Sequence, residues 1–225
     1  MDTESSQRAD AQQTRQKLIR VGLEQFGRLG FDAVGTRGLA NAAGVNLAAI
    51  KYHFGGKEGL YLAVAEHIAQ QMVASMAPIA DAIQARFAPA SARSPDDAID
   101  SLRELASGMV TLIATNPETA LWMRFILREQ AEPSEAFEII YNRIMRRMHM
   151  LVTALIAAAT GEKADSDAAR LKAFALIGQI IVFRVARAAV LKRMEWDDIS
   201  ADETEKIRRV IMANIDALRF SGKGG

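Results

Sequence analysis

The chain has 225 residues, half of them apolar, with a formal net charge of +1 and no cysteine. This length suits one large domain or two smaller ones, and the apolar share is too high for a disordered chain. The absence of cysteine excludes disulfides, thiolate metal sites and a cysteine nucleophile, and it agrees with a reducing cytoplasm. The first residues are too polar for a signal peptide, and the longest uncharged apolar runs, 151–161 and 173–183, fall short of the roughly 20 residues that span a membrane. We therefore expect a cytoplasmic protein with no membrane partner.

Positive charge is concentrated near the N-terminus. Residues 11–57 carry seven Lys or Arg against two acidic residues, a net charge of +5, whereas residues 58–225 carry 20 basic against 22 acidic residues. A basic segment attached to a nearly neutral remainder favours contact with a polyanion such as DNA. An ordinary solvated surface with an uneven spread of charge is the alternative explanation.

Helical periodicity runs through nearly the whole chain without convincing strand alternation, so we predict an all-α fold. The first helices are predicted over about 11–29, 36–43 (with Thr36 as N-cap), 46–54 and from Lys57 onward. After a loop at 88–95, further helices are predicted over about 96–115, 118–129, 134–159, 166–194 and 201–220. The domains expected from this pattern are a flexible arm at 1–10, a three-helix head at 11–57 and a larger helical body at 58–225.

Residues 36–54 have the lengths of a helix-turn-helix, with the turn at Gly44–Val45. Four apolar side chains should face inward: Leu39, Val45, Ile50 and Phe54. The outward face would then carry Leu47, Ala48, Lys51 and Tyr52. Asn46 can cap the second of these helices and present its side chain to DNA.

The chemistry of this outward face suits DNA. Small side chains at Ala48 and Ala49 allow close approach to a groove, and a methyl group suits contact with thymine. Tyr52 and His53 can donate hydrogen bonds to phosphate oxygens. Lys57 lies at a helix start, where free backbone N–H groups also attract an anion. We predict one surface that follows phosphates, with a small base-reading edge in its middle.

The run TRGLANAAGVNLAAIKYHFGGKEGLYLAV resembles the DNA-binding head of the TetR family of transcriptional regulators. The resemblance implies a homodimer that binds a palindromic operator in double-stranded DNA and releases it when a small molecule enters the body. Base-contacting positions of the family fall on Arg37, Leu47, Ala48 and Ala49. Phosphate-contacting positions fall on Thr36, Lys51, Tyr52, His53 and Lys57. Because Lys51 replaces the aromatic residue common at its position, it could contact either phosphate or base.

The run VNLAAIKYHFGGKEGLY, taken with FILREQAEPSEAFEIIY, is similar to the CecR-type branch of that family.

Met and aromatic residues recur at helical spacing in the body. Such stripes are typical of a plain core, and also of an adaptable apolar ligand site. If they line a site, the effector would be largely apolar, with Arg128 and Glu129 available for polar contacts. The candidate lining residues are Met72, Met109, Trp122, Phe125, Ile126, Glu129, Tyr141 and Ile144.

The last two predicted helices have more apolar surface than one packing partner needs. Residues 171–194 are apolar around most of the helix, which indicates either full burial or a shared interface. The final helix carries one stripe of Ile207, Val210, Ile211, Asn214 and Leu218, with Met212 and Ile215 beside it. Together they predict a four-helix contact between two copies, and an ordinary monomer core is the alternative.

Catalytic motifs are missing. No H-E-x-x-H or G-x-S-x-G occurs, and a phosphate-binding loop would need glycine where Lys51 stands and Ser or Thr where Glu58 stands. We expect no enzyme, no cofactor and no metal site. The predicted function is a homodimeric, ligand-responsive transcriptional regulator, a repressor released by a small molecule. A structural DNA-coating protein of the same fold is an alternative; a carrier or enzyme with a relic head is a third, which the basic head and intact turn disfavour.

Overall fold

The computed structural model describes residues 2–87, 94–115 and 118–221, which form helices with no strand among them. The all-α prediction is confirmed. In chain order the elements are α1 (Asp2–Leu29), α2 (Thr36–Ala43), α3 (Ala48–Phe54), α4 (Lys57–Phe87), α5 (Pro95–Thr115), α6 (Thr119–Ala131), α7 (Glu135–Ile140), a π-helical segment (Tyr141–Met145), α8 (Arg146–Thr160), α9 (Asp167–Val185), α10 (Arg187–Met194) and α11 (Ala201–Ser221). Most of the predicted loop at 88–95 lies outside the described residues, and α5 begins at its last residue.

Three helix starts differ from the sequence prediction. The helix α1 begins at Asp2 rather than near Ala11, because residues 2–10 contain no Gly or Pro to interrupt it. The N-cap of α2 is Gly35, in an extended conformation, and Thr36 is already helical. The helix α3 begins at Ala48 rather than Asn46.

Two helices predicted as continuous are interrupted. The segment 134–159 becomes α7, the π-helical turn and α8. The segment 166–194 bends by 75° between α9 and α10, at Ala186, whose φ of −95° and ψ of 24° leave the helical region. Among the described residues no single helix is long and apolar enough to cross a membrane; the bent α9–α10 pair meets that test only by length and composition.

The helices group into two compact units, and neither ends at residue 57. The first comprises Met1–Gln71 and Ala120–Arg143. Its core is formed by fully buried side chains of α1, α4 and α6, among them Phe26, Leu60 and Phe125. A Cβ on Gly22 would lie 3.0 Å from Cγ2 of Val64, so this glycine lets α1 approach α4 closely. The predicted limits of arm, head and body remain predictions.

The second unit comprises Met72–Thr119 and Ile144–Gly225. Here α5 packs against α8 and α11, and α8 packs against α9. Polar contacts along the α5–α11 seam supplement the apolar core: Nη2 of Arg103 donates to Oδ2 of Asp216 at 2.6 Å, and Nη1 of Arg208 donates to the carbonyl of Ser107 at 2.9 Å.

Candidate DNA-binding surface

A glycine turn sets the angle between α2 and α3. Gly44 ends α2 in the left-handed conformation, with φ at 64°, and its N–H bonds the carbonyls of Ala40 and Asn41. This geometry suits glycine because it has no Cβ. Asn46 follows, and its Oδ1 accepts a hydrogen bond from the N–H of Ala48 at 2.8 Å. The predicted capping role of Asn46 is therefore confirmed, from a position just before the helix.

The inward face of the helix-turn-helix is buried to different depths. Leu39 and Ile50 are buried, as predicted. Val45 and Phe54 are only half-buried. The guanidinium of Arg15, on α1, lies 5.4 Å from the centroid of the Phe54 ring, so this ring contacts a cation.

The predicted outward residues are exposed: Leu47, Ala48, Lys51 and Tyr52. Tyr52 has 81% of its surface accessible, and its ring meets that of His53 edge to face, with centroids 4.9 Å apart. The other predicted contact residues divide into exposed Arg37 and Asn46, and half-buried Thr36, Ala49, His53 and Lys57. Their individual contacts with DNA remain predictions.

The turn from α3 into α4 depends on consecutive glycines. Gly55 and Gly56 both have positive φ, at 78° and 148°. A Cβ on Gly59 would lie 1.8 Å from the carbonyl oxygen of Phe54, so only glycine fits the first turn of α4. Lys57 opens this helix, and its Nζ lies 4.2 Å from the centroid of the Phe31 ring. Sequence reasoning missed Phe31, although an aromatic residue directly after the α1 cap at Gly30 is a visible signal.

A buried carboxylate organises the α6–α7 junction in the same unit. Glu129 is 4% exposed. Its Oε1 accepts from the hydroxyl of Tyr61 at 2.5 Å, and its Oε2 accepts from the backbone N–H of Ser134 and Phe137, at 3.1 and 2.9 Å, and from Oγ of Ser134 at 2.8 Å. Burial and the Glu129 hydrogen bond raise the pKa of Tyr61, so the phenol remains a donor.

Arg128, beside Glu129, bonds to the end of α1. Its Nε donates to the carbonyl of Gly27 at 3.2 Å, and its Nη2 to the carbonyl of Arg28 at 2.9 Å. These bonds satisfy carbonyls that a helix end leaves without partners. A Cβ on Gly27 would lie 3.3 Å from the carbonyl oxygen of Leu121, so this glycine lets the backbones of α1 and α6 approach.

The eight predicted ligand-lining residues do not share one environment. Trp122, Phe125, Ile126, Glu129 and Tyr141 belong to the first unit, and Met72, Met109 and Ile144 to the second. Glu129 is occupied by its hydrogen bonds within the protein, and Tyr141 stacks on Phe137 at 5.6 Å. Trp122 is 2% exposed, and its Nε1 has no hydrogen-bond partner among the described residues. The proposed lining stays a prediction.

An exposed apolar row lies along α9. Leu171, Phe174, Val182 and Val185 are all exposed, and their spacing puts them on one helical face. On α11, Ile207, Ile211 and Ile215 are buried, whereas Val210 is exposed. A groove of about 200 Å³ lies between the two helices, lined by Lys172, Ala175, Leu176, Gln179, Asn214 and Leu218. None of the predicted ligand residues lines it.

Comparison with known proteins identifies both parts of the chain. Residues 18–64 match the bacterial regulatory proteins of the tetR family, and residues 98–224 match the C-terminal domain of the HTH-type transcriptional dual regulator CecR. The CecR protein of Shigella flexneri is 36% identical over 211 residues, which cover 92% of each chain.

Solved structures show the same fold. The Mycobacterium smegmatis AmtR structure covers 94% of this chain and 87% of its own at 16% identity, with a TM-score of 0.61. AibR, solved in complex with isovaleryl coenzyme A and operator DNA, covers 88% and 96% at 15% identity, with a TM-score of 0.59.

These features define a helix-turn-helix DNA-binding transcriptional regulator. The chain belongs to the TetR family, in the branch that shares the CecR C-terminal domain. The matching families and relatives are named as regulators, and none indicates a catalytic family.

Proposed function

We propose that the chain is a homodimeric repressor that binds a palindromic operator through α3 and leaves it when a small molecule binds. The observation that carries this proposal is the exposed apolar row on α9. A dimer formed there presents two copies of α3, and a two-fold arrangement reads successive major grooves, roughly 34–36 Å apart. Such a protein would act in the cytoplasm.

At the operator, α3 would lie in the major groove. Arg37, Leu47, Ala48 and Ala49 would contact bases, with Asn46 beside them. Thr36, Lys51, Tyr52, His53 and Lys57 would contact phosphates. The exposure of Arg37 and Tyr52 supports these roles, because side chains that reach DNA must be free of the core.

The second copy would cover α9 and α11. Stable interfaces bury about 1,200–2,000 Å² in total, and four large apolar side chains exposed on one face of α9 are a suitable centre for one. The helix α11 supports the same contact because it has apolar side chains on two faces. Its isoleucines are buried in the core of its own unit, whereas Val210 is exposed.

Sedimentation of the full chain tests the dimer. Phe174, 60% exposed on α9, and Leu127, 41% exposed on α6, form a matched pair. Phe174→Asp should convert the dimer to a monomer, whereas Leu127→Asp should leave it intact. Equal behaviour of the two variants would refute an interface on α9.

The effector would be a small, largely apolar molecule. Nε1 of Trp122, which has no partner among the described residues, favours a ligand that also carries a hydrogen-bond acceptor. The structure of AibR, which holds both isovaleryl coenzyme A and operator DNA, indicates that this fold can accommodate both kinds of ligand. An almost complete switch needs the effector to prefer the released state by about 5.5 kcal/mol.

A structural DNA-coating protein is the alternative. The similarity to a named transcriptional regulator over 92% of the chain favours regulation. Titration of a long mixed-sequence duplex separates the two, because a coating protein should saturate it cooperatively, whereas a regulator should bind it weakly and without cooperativity.

A further inference from the structure

We propose that Glu129, Tyr61 and Phe31 are positioning residues for DNA binding, which together hold the ammonium group of Lys57 in place at the start of α4. This inference rests on the proposed phosphate contact of Lys57 and assigns a role to three residues for which no DNA contact is proposed.

A continuous series of contacts joins the four residues within the first unit. Oε1 of Glu129 accepts from the hydroxyl of Tyr61 at 2.5 Å. The Tyr61 ring meets the Phe31 ring edge to face, with centroids 5.0 Å apart and planes at 70°. Nζ of Lys57 lies 4.2 Å from the centroid of Phe31. Each step has a defined geometry, so displacement of one member is passed to the next.

Glu129 is a rigid anchor for this series. Its second oxygen accepts three hydrogen bonds from Ser134 and Phe137, so the carboxylate cannot rotate without breaking them. Two further rings fix the Tyr61 ring: Phe26, edge to face at 4.9 Å, and Phe125 at 4.7 Å. Tyr61 therefore presents one constant edge to Phe31.

The backbone that carries Phe31 is held as well. Arg128 bonds the carbonyls of Gly27 and Arg28 at the end of α1, directly before the turn that contains Phe31. Two adjacent residues of α6 thus restrain the Phe31 ring. Arg128 acts through the end of α1, and Glu129 acts through the phenol of Tyr61.

A positioned lysine binds phosphate more tightly than a free one. A free lysine side chain samples many rotamers, and ordering it on a phosphate costs entropy. Attraction between the ammonium group and the face of Phe31 restricts that sampling before DNA arrives. The ammonium group has three donors, so contact with the ring leaves donors available for a phosphate oxygen.

The test combines Tyr61→Phe with Lys57→Ala in the full chain and measures binding to a mixed-sequence duplex at several salt concentrations. Tyr61→Phe removes only the hydroxyl. It should weaken binding roughly two- to thirtyfold and reduce the salt dependence, and it should have no effect when Lys57 is already alanine. Thr160→Val is the control, because it removes a buried hydroxyl that donates to the carbonyl of Ile156 within α8, outside this series of contacts, and should leave DNA affinity unchanged.

The outcomes separate this inference from the proposed function. If Lys57→Ala itself leaves affinity unchanged, the phosphate role of Lys57 is wrong, and the inference is wrong with it. If Lys57→Ala weakens binding but Tyr61→Phe does not, or weakens it equally in both backgrounds, only the positioning role is wrong.

A second measurement needs no DNA and covers the case in which Tyr61→Phe folds poorly. Because Nζ of Lys57 lies over the Phe31 ring, the ring current should shift the NMR signals of the lysine side chain upfield. Phe31→Leu, at a half-buried site, should abolish that shift and weaken duplex binding. An unshifted lysine signal in the unmodified protein, or undiminished binding by Phe31→Leu, would overturn the proposal.

Discussion

Gly30 and Arg128 share one space at the end of α1: a Cβ on Gly30 would lie 2.9 Å from Nη1 of Arg128. Gly30 has a φ of 84°, so alanine there would be strained as well as crowded. The close fit explains how a guanidinium from α6 reaches the last carbonyls of α1.

Substitution of Gly30 by alanine should therefore lower the free energy of unfolding by more than backbone strain alone would. Gly44→Ala, at a φ of 64° with no described atom within 4 Å of its Cβ, isolates the strain of about 1–2 kcal/mol. Gly30→Ala should lower the free energy of unfolding by about 1 kcal/mol more, because it also disturbs the hydrogen bonds of Arg128. Gly35→Ala, at an ordinary φ, should leave the free energy of unfolding nearly unchanged. Denaturant unfolding compares the three variants, and equal losses at Gly30 and Gly44 would contradict a role for Arg128.

Arg37 and Lys57 should differ in what they contribute to DNA binding. Lys57→Ala should weaken binding to all sequences and lower the salt slope by about one for each phosphate that the lysine no longer neutralises. Arg37→Ala should also change which sequences are preferred, because a base contact carries sequence information. Selection from a random duplex pool measures both. Parallel weakening without altered preference would exclude base reading by Arg37.

Tyr61 should ionise at higher pH than an ordinary tyrosine. Burial and the Glu129 hydrogen bond raise its pKa above the ordinary value of 10.0. A raised folded-state pKa stabilises the fold fully below the unfolded-state value, and that contribution is lost as pH rises from there towards the folded-state value. The absorbance of tyrosinate should show a late ionisation, that of Tyr61, only as the chain unfolds. Tyr61→Phe should delete this late step; ionisation of Tyr61 in the folded protein would contradict the buried pair.

Gly59 and Gly38 should respond in opposite directions to alanine. Both lie in helices, but a Cβ on Gly59 would overlap the carbonyl of Phe54, whereas one on Gly38 meets only Oε1 of Gln25, at 3.9 Å. Gly59→Ala should cost about 3 kcal/mol or more, since backbone atoms cannot move aside easily. Gly38→Ala should stabilise by up to about 1 kcal/mol, because alanine favours a helix. Thermal unfolding measures both variants. A higher melting temperature for Gly59→Ala would show that the turn is looser than described.

The elements that the sequence predicts well are those determined by residues close together in the chain. The α2–turn–α3 unit follows from Gly44, from the inward spacing of Leu39 and Ile50, and from the capping side chain of Asn46. The surplus apolar surface of α9 could also be read from composition, because no arrangement within one helix pair would bury it all.

The features that sequence reasoning missed depend on distant partners. The bend at Ala186 occurs without Gly or Pro, so no local signal marks it. Glu129 was a candidate ligand contact because its hydrogen-bond partner, Tyr61, is 68 residues away in the sequence. No local pattern shows that the carboxylate already has a partner within the protein. The contact between Phe31 and Lys57 depends on how α1 and α4 pack, which periodicity alone does not specify.

The most direct test of the central claim is to incubate the purified full chain with fragmented DNA from its source organism and to sequence what is retained at moderate salt. Sequence-specific regulation predicts a few palindromic sites beside a handful of genes, with half-sites about one helical turn apart, and their loss in the Phe174→Asp variant. Retention of fragments everywhere, or of none, would contradict the account.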